Sequence, residues 1–186
     1  MTKTQIKKAL IFAGICVALI AAFKEGNRYL TKRFSPEAQA VFESSQMKLI
    51  VDYCQPSTKG RDIFGIEEAL VPYGEVWRTG ANEATTFTTT TDLTIDGKTL
   101  AAGSYTLWTI PNKDSWTVIF NEKEYGWGVG FDGKASRDAA ADVLQVKVPT
   151  QALNDTQELF TIALQDSGSP ALVLSWEKTK VAVPFE

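Results

Sequence analysis

The sequence predicts an all-β domain, an antiparallel β-sandwich or jelly-roll-like barrel, preceded by an N-terminal transmembrane or signal-anchor helix. Three observations carry this. Apolar residues alternate with polar ones at period two in several short segments, turn-forming clusters separate those segments, and one long uncharged run lies between lysines near the N-terminus. With 186 residues, 44% of them apolar, the chain is long enough for one domain with its own core plus a tail.

The N-terminal segment comes first. Ala9 to Phe23 carries no charge and lies between Lys7-Lys8 and Lys24. Counted from Ile6, the apolar stretch reaches about 27 Å as a helix, just enough to cross ~30 Å of hydrocarbon when flanking lysines reach for the headgroups. Residues 6–23 are therefore expected to meet membrane lipid. Cleavage of a signal peptide wants small residues at −3 and −1, and no such pair follows the run directly; the Ala38-Gln39-Ala40 triplet lies far downstream. An uncleaved anchor is the leading reading, with a cleaved signal and a buried helix as alternatives. The domain is expected on the extracytoplasmic side, although lysines and arginines flank the run on both sides and do not orient it. The organisation expected is residues 1–35 as anchor, 36–46 as linker or short helix, and 47–186 as the β domain. Ser35-Pro36 before Glu37 resembles an N-cap followed by proline at the first helical position, which is the reason for the short helix.

The strands follow in order. Met47, Leu49, Val51 and Tyr53 recur at every second position. Thr85 to Thr91 is rich in β-branched residues, and Leu93-Thr94-Ile95 runs into Asp96-Gly97, the dipeptide suited to a type I′ hairpin turn. Pro111-Asn112-Lys113-Asp114 is expected to turn Tyr105–Ile110 back onto Trp116–Phe120. Alternation is clearest at Leu144, Val146 and Val148, at Phe160, Ile162 and Leu164, and at Leu172, Leu174 and Trp176. Asn154-Asp155 and the run from Asp166 to Pro170 read as turns between them, and Val181, Val183 and Phe185 as a closing strand.

Charge and composition exclude several functions. Residues 1–35 carry a balance of +6 and the remainder −9. An acidic folded part lacks the basic face that neutralises phosphates, so no nucleic-acid partner is expected. The chain has no histidine, which removes imidazole bases and His-dependent nucleophiles and metal sites. Its two cysteines, Cys16 and Cys54, form no CxxC motif, no DxDxDG calcium loop occurs, and no cofactor is expected. Gly126-Trp127-Gly128-Val129-Gly130 lacks the strand-then-helix setting of a dinucleotide loop and reads as a loop between strands.

The candidate site lies between Lys59 and Thr86, where glycines and Pro72 break every strand pattern. Loops on a rigid β scaffold are where binding groups concentrate. Arg61 and Arg78 could fork onto a carboxylate, phosphate or sugar hydroxyl, with Asp62, Asn82 and Glu83 fixing orientation and Tyr73, Trp77 and Trp108 supplying apolar walls. On this reading the protein is a membrane-tethered module that binds a small polar or anionic ligand, a saccharide among the candidates. The same charges could instead be a buried clamp that satisfies a long crossing connection, making the domain structural or protein-interacting. A third reading is a His-independent hydrolase using Asp62 and Glu83, which requires the two carboxyls to face one cleft.

The loop and its surroundings also resemble a bacterial family of unknown function, DUF2911. The residues that carry the resemblance are Pro56-Ser57, Lys59-Gly60-Arg61, Ile63-Phe64-Gly65, Leu70-Val71-Pro72-Tyr73-Gly74, the block from Val76 to Thr85 (VWRTGANEAT), Gly103-Ser104-Tyr105 and Trp176-Glu177-Lys178. The resemblance runs from about Met47 to Phe185 and implies an all-β domain, often exported, with no assigned reaction. The family typically has a basic residue before its first Pro-Ser, where this chain has Gln55.

Overall fold

The computed structural model describes residues 2–166 and 170–186. One helix, α1 (Lys3–Phe34), is followed by β1 (Glu37–Glu43), β2 (Lys48–Cys54), β3 (Phe64–Gly65), β4 (Val71–Pro72), β5 (Thr86–Thr89), β6 (Leu93–Ile95), β7 (Lys98–Leu100), β8 (Gly103–Pro111), β9 (Ser115–Asn121), a 3-10 turn (Ala139–Ala141), β10 (Asp142–Pro149), β11 (Gln151–Asp166) and β12 (Pro170–Pro184). The chain divides into two units, the helical one ending at Phe34 and the β one spanning Ser35–Glu186.

By length and composition α1 can cross a membrane. It runs on past the apolar stretch and places Lys32 and Arg33 in its last turn, where cations complement the unpaired carbonyls.

The β unit is sandwich-like and does not close into a barrel. Six antiparallel strands in the order β1-β2-β5-β8-β9-β10 form the main sheet, and the long hairpin β11-β12 forms a second layer. Short pairs β3-β4 (parallel) and β6-β7 (antiparallel) complete it. The alternating residues read from the sequence meet in one core. Leu49, Val51, Phe87, Leu107, Val118 and Phe120 from the main sheet pack with Phe160, Ile162, Leu172, Leu174, Trp176, Val181 and Val183 of the hairpin. The Tyr53 hydroxyl ties the layers, accepting from the Ile162 N–H at 3.1 Å and donating to the Ile162 carbonyl at 3.3 Å.

Both predicted hairpins form. Asp96 and Gly97 take φ of 51° and 70°, the left-handed pair a type I′ turn requires, and β8 returns as β9 through Pro111↔Trp116. Two expectations are corrected. The short helix after Ser35-Pro36 is a strand instead. β1 pairs with β2 along its whole length, from Glu37↔Cys54 to Glu43↔Lys48, and Ala38, Ala40 and Phe42 turn inward, so tertiary pairing overrides the local capping signal. Asn154-Asp155 is not a turn between strands. It lies in the bulged part of β11, where the register against β12 shifts between Ala152 and Gln157 and again before Thr161. Residues 172–176 and 181–184 likewise belong to the single strand β12. The turn expected at Asp166 to Pro170 falls largely outside the described residues, although Asp166↔Pro170 close the hairpin.

Candidate functional site

Strand alternation gives the main sheet a second buried face. Leu107 and Thr109 point one way and Trp108 the other, so Trp108 joins Ile119 and Ala84 in a smaller cluster flanked by Val76, Tyr125 and Ala135. The connections around residues 76–84 and 125–135 cover this face.

The first of these segments is an excursion anchored at both ends on the same edge of β8. Trp77 bridges Thr109, its N–H donating at 2.7 Å and its carbonyl accepting at 3.0 Å, while the Thr85 carbonyl accepts from the Leu107 N–H at 2.8 Å. Between these anchors the chain loops out and back through left-handed backbone at Thr79 (φ 55°), Gly80 (φ 150°) and Asn82 (φ 60°). Glycine tolerates this freely, but at Thr79 and Asn82 such a conformation is costly unless held from outside. The holding bonds are visible: Thr85 Oγ1 donates to the Thr79 carbonyl at 2.7 Å, Thr79 Oγ1 meets Thr109 Oγ1 at 3.1 Å, and Trp77 Nε1 donates to the Gly80 carbonyl at 3.2 Å. A Cβ on Gly80 would stand 3.0 Å from the Cys54 carbonyl, so the loop rests directly on the end of β2.

Arg78 projects from this loop half-buried. Its Nε is shut off from solvent and has no acceptor among the described residues. Burial lowers the guanidinium pKa, opposed only by the nearby Cys54 thiol. The Cys54 thiol donates to Glu83 Oε2 at 3.6 Å. Burial is the main cause that raises the thiol's pKa; a hydrogen bond with Asn82 works against it, and the carboxylates of Glu83 and Glu37 add to it. Asn82 is buried; its amide donates to the Ser35 carbonyl at 3.3 Å and its own carbonyl accepts from the Gly128 N–H at 2.9 Å. Arg78, Asn82 and Glu83 therefore gather around Cys54 and Gly128, two positions that sequence reasoning did not select. Nothing in either residue's neighbourhood along the chain signals that meeting.

The other predicted residues go elsewhere. Arg61 curls back on its own loop, its Nε donating to the Thr58 carbonyl at 3.1 Å and its Nη2 to the Ser57 carbonyl at 2.6 Å. That loop is latched to β11: Glu158 accepts from Thr58 Oγ1 and, at 3.0 Å, from the Lys59 N–H. Arg61 thus fits the clamp description. Among the described residues no hydrogen bond or ion pair joins it to Arg78, or Asp62 to Glu83. Asp62 is exposed, and its carbonyl accepts from the Leu70 N–H. Tyr73 is half-buried beside β4, its phenol raised by burial and then by Glu177 and Asp114.

Trp77 and Trp108 are corrected from ligand walls to core residues. Trp77 is 8% exposed and surrounded by Phe64, Trp116, Phe160 and Trp176, while Trp108 is fully buried against Tyr125 with ring centroids 5.2 Å apart. Large indoles have more to gain from an apolar interior than from a solvent-facing loop. Gln55, where the family has a basic residue, donates its side-chain amide to the Phe160 carbonyl and the Tyr53 hydroxyl. Among the described residues there is no group of three or more acidic or cysteine side chains able to hold a metal ion.

A sandwich-like domain of this order, with the VWRTGANEAT block forming the loop that carries Arg78, has a family. The chain belongs to the family described as Protein of unknown function (DUF2911), whose model matches residues 35–185, so the helix lies outside the match. No curated protein and no solved structure matches the chain.

Proposed function

We propose that the protein is a membrane-tethered, extracytoplasmic binding domain that recognises a small anionic ligand with Arg78. The observation that carries the reading is a guanidinium partly withdrawn from water: its Nε is sealed off without an acceptor among the described residues, and burial lowers the pKa. Removing a charge from water costs several kcal/mol unless a partner compensates, and a carboxylate or phosphate supplies that partner as a charge-assisted pair. The stem is covered and Nε is sealed, so the terminal nitrogens are the part left to meet a guest. The strained backbone around it supports the same reading, since conformations of this kind cluster at ligand clamps. α1 supports the tether, and the export that the family resemblance implies supports its side.

Arg61 favours a second role for its half of the loop, that of scaffold, because two of its N–H groups donate to the Ser57 and Thr58 carbonyls of its own loop.

Thermal unfolding of the full chain in detergent, in sodium acetate, sodium phosphate and sodium chloride at equal ionic strength, tests the anion reading. An anion at ten times its dissociation constant adds about 1.4 kcal/mol, or ~3–5 °C in Tm for a domain of this size. Acetate or phosphate is expected to produce that rise over chloride in the wild type and not in Arg78→Ala. Identical behaviour of both proteins in all three salts would sink the proposal.

A further inference from the structure

Gly128 lies buried against the Arg78 side chain. A Cβ built on it would stand 2.3 Å from Arg78 Cδ, 2.7 Å from Cβ and 3.0 Å from Cγ, closer than real side chains approach one another. The backbone does not ask for glycine here: Gly60, Gly74, Gly80, Gly97 and Gly133 have positive φ and Gly128 does not. What requires glycine is the arginine beneath it.

The contact is fixed from both sides. The Gly128 N–H donates to the Asn82 carbonyl at 2.9 Å, which binds the segment to the same strained loop that carries Arg78. The Gly128 carbonyl accepts from the Ser136 N–H at 3.1 Å, Gly130 donates to Lys134 at 2.8 Å, and Val129 bridges Ala135, so the strip over the arginine is itself a closed loop. The hydrogen-bonded strip thus holds the Gly128 backbone against the aliphatic stem of Arg78.

We propose that Gly128 is a positioning residue for anion recognition, setting the direction of the Arg78 guanidinium through the bare backbone that lies on its stem. This rests on the anion reading of Arg78 and adds the element that gives the site its geometry. A methyl at position 128 has to displace either the strip or the stem, and a charged fork moved by about an ångström loses much of its binding.

The test compares wild type with Gly128→Ala as full chains in detergent, with two readouts. The first is the Tm rise in acetate or phosphate over chloride. The second is the rate of adduct formation by phenylglyoxal at Arg78, followed by peptide mass spectrometry, with Arg61 as internal reference because among the described residues it hydrogen-bonds only within its own segment, Ser57 to Arg61. In Gly128→Ala the affinity for the anion is expected to fall by about tenfold or more, and the Arg78 adduct rate to change while the Arg61 rate does not. An unchanged Arg78 rate together with an undiminished anion shift overturns the proposal. If Gly128→Ala does not fold, Arg78→Gly/Gly128→Ala removes Cβ, Cγ and Cδ from under the new methyl and is expected to fold again; failure of that rescue also overturns it. A wild type indifferent to both anions overturns the anion reading before any variant is compared, and the two failures are therefore distinct.

Discussion

Trp77 and Trp176 lie stacked, their ring centroids 5.7 Å apart and their planes within 15° of parallel. Phe64, Trp116 and Phe160 close around Trp77 edge-on, so the base of the loop that carries Arg78 is nailed into an aromatic cluster shared by both layers. Trp77→Ala should cost ~3–5 kcal/mol, measured by urea denaturation, and a loss below about 1 kcal/mol would show that the ring does not contribute as a core residue.

Arg61 and Arg78 should part company. Arg61→Ala removes two hydrogen bonds to backbone carbonyls at an exposed position and is expected to cost about 1 kcal/mol while leaving the response to acetate and phosphate intact. An anion response that vanishes with Arg61 and survives loss of Arg78 would reverse the assignment.

Acid should weaken the far end of the sheet through Asp142. Burial pushes its carboxyl up, but hydrogen bonds from Arg137, Asn121 and Gln145 outweigh this, so the folded pKa lies below the ordinary value. The stabilisation is then complete above the unfolded pKa of about 3.9 and is lost as pH falls through the folded value. Asp142→Asn is expected to cost ~1–3 kcal/mol near neutrality and to flatten the acid limb of the stability curve. An acid limb as steep as that of the wild type would mean that other carboxylates set it.

Cys54 should be a quiet thiol despite its place beside Arg78. Burial and the carboxylates of Glu83 and Glu37 raise its pKa against the pull of Asn82, which reduces the thiolate at pH 8. In a Cys16→Ser background, iodoacetamide is expected to label Cys54 much more slowly in the native protein than in the urea-unfolded chain. Equal rates would show a thiol open to solvent.

The tether predicts fractionation. The full chain should sediment with membranes and resist extraction at alkaline pH, whereas a chain lacking residues 2–34 should be released; a wild type extracted as readily as the truncated form argues against an anchor.

How much was readable in advance follows from the range of the interactions. The Asp96-Gly97 turn and the alternation at Leu144, Val146 and Val148 are local, and they specify their hairpin and their face without outside help. At β1, Ser35-Pro36 carries a helix signal that only its partner β2 overrules. Asn154-Asp155 was misread because a long bulged strand and a turn call on the same residue types. At the site, the concentration of Arg78, Asn82 and Glu83 within one block marks the loop that meets Cys54 and Gly128. That Trp77 and Trp108 would be swallowed by the core, and that Cys54 and Gly128 would complete the cluster, depend on contacts between distant segments, which no local pattern encodes.

The phenol of Tyr53 occupies both backbone groups of Ile162, a residue 109 positions further along the chain. Such a closure is entropically remote in the early collapsing chain and cannot be rewarded until both of its ends have been brought together. It should thus form late in folding. Stopped-flow refolding of Tyr53→Phe should therefore leave the folding rate nearly untouched and accelerate unfolding instead, marking this pair as a latch on the native state's lifetime.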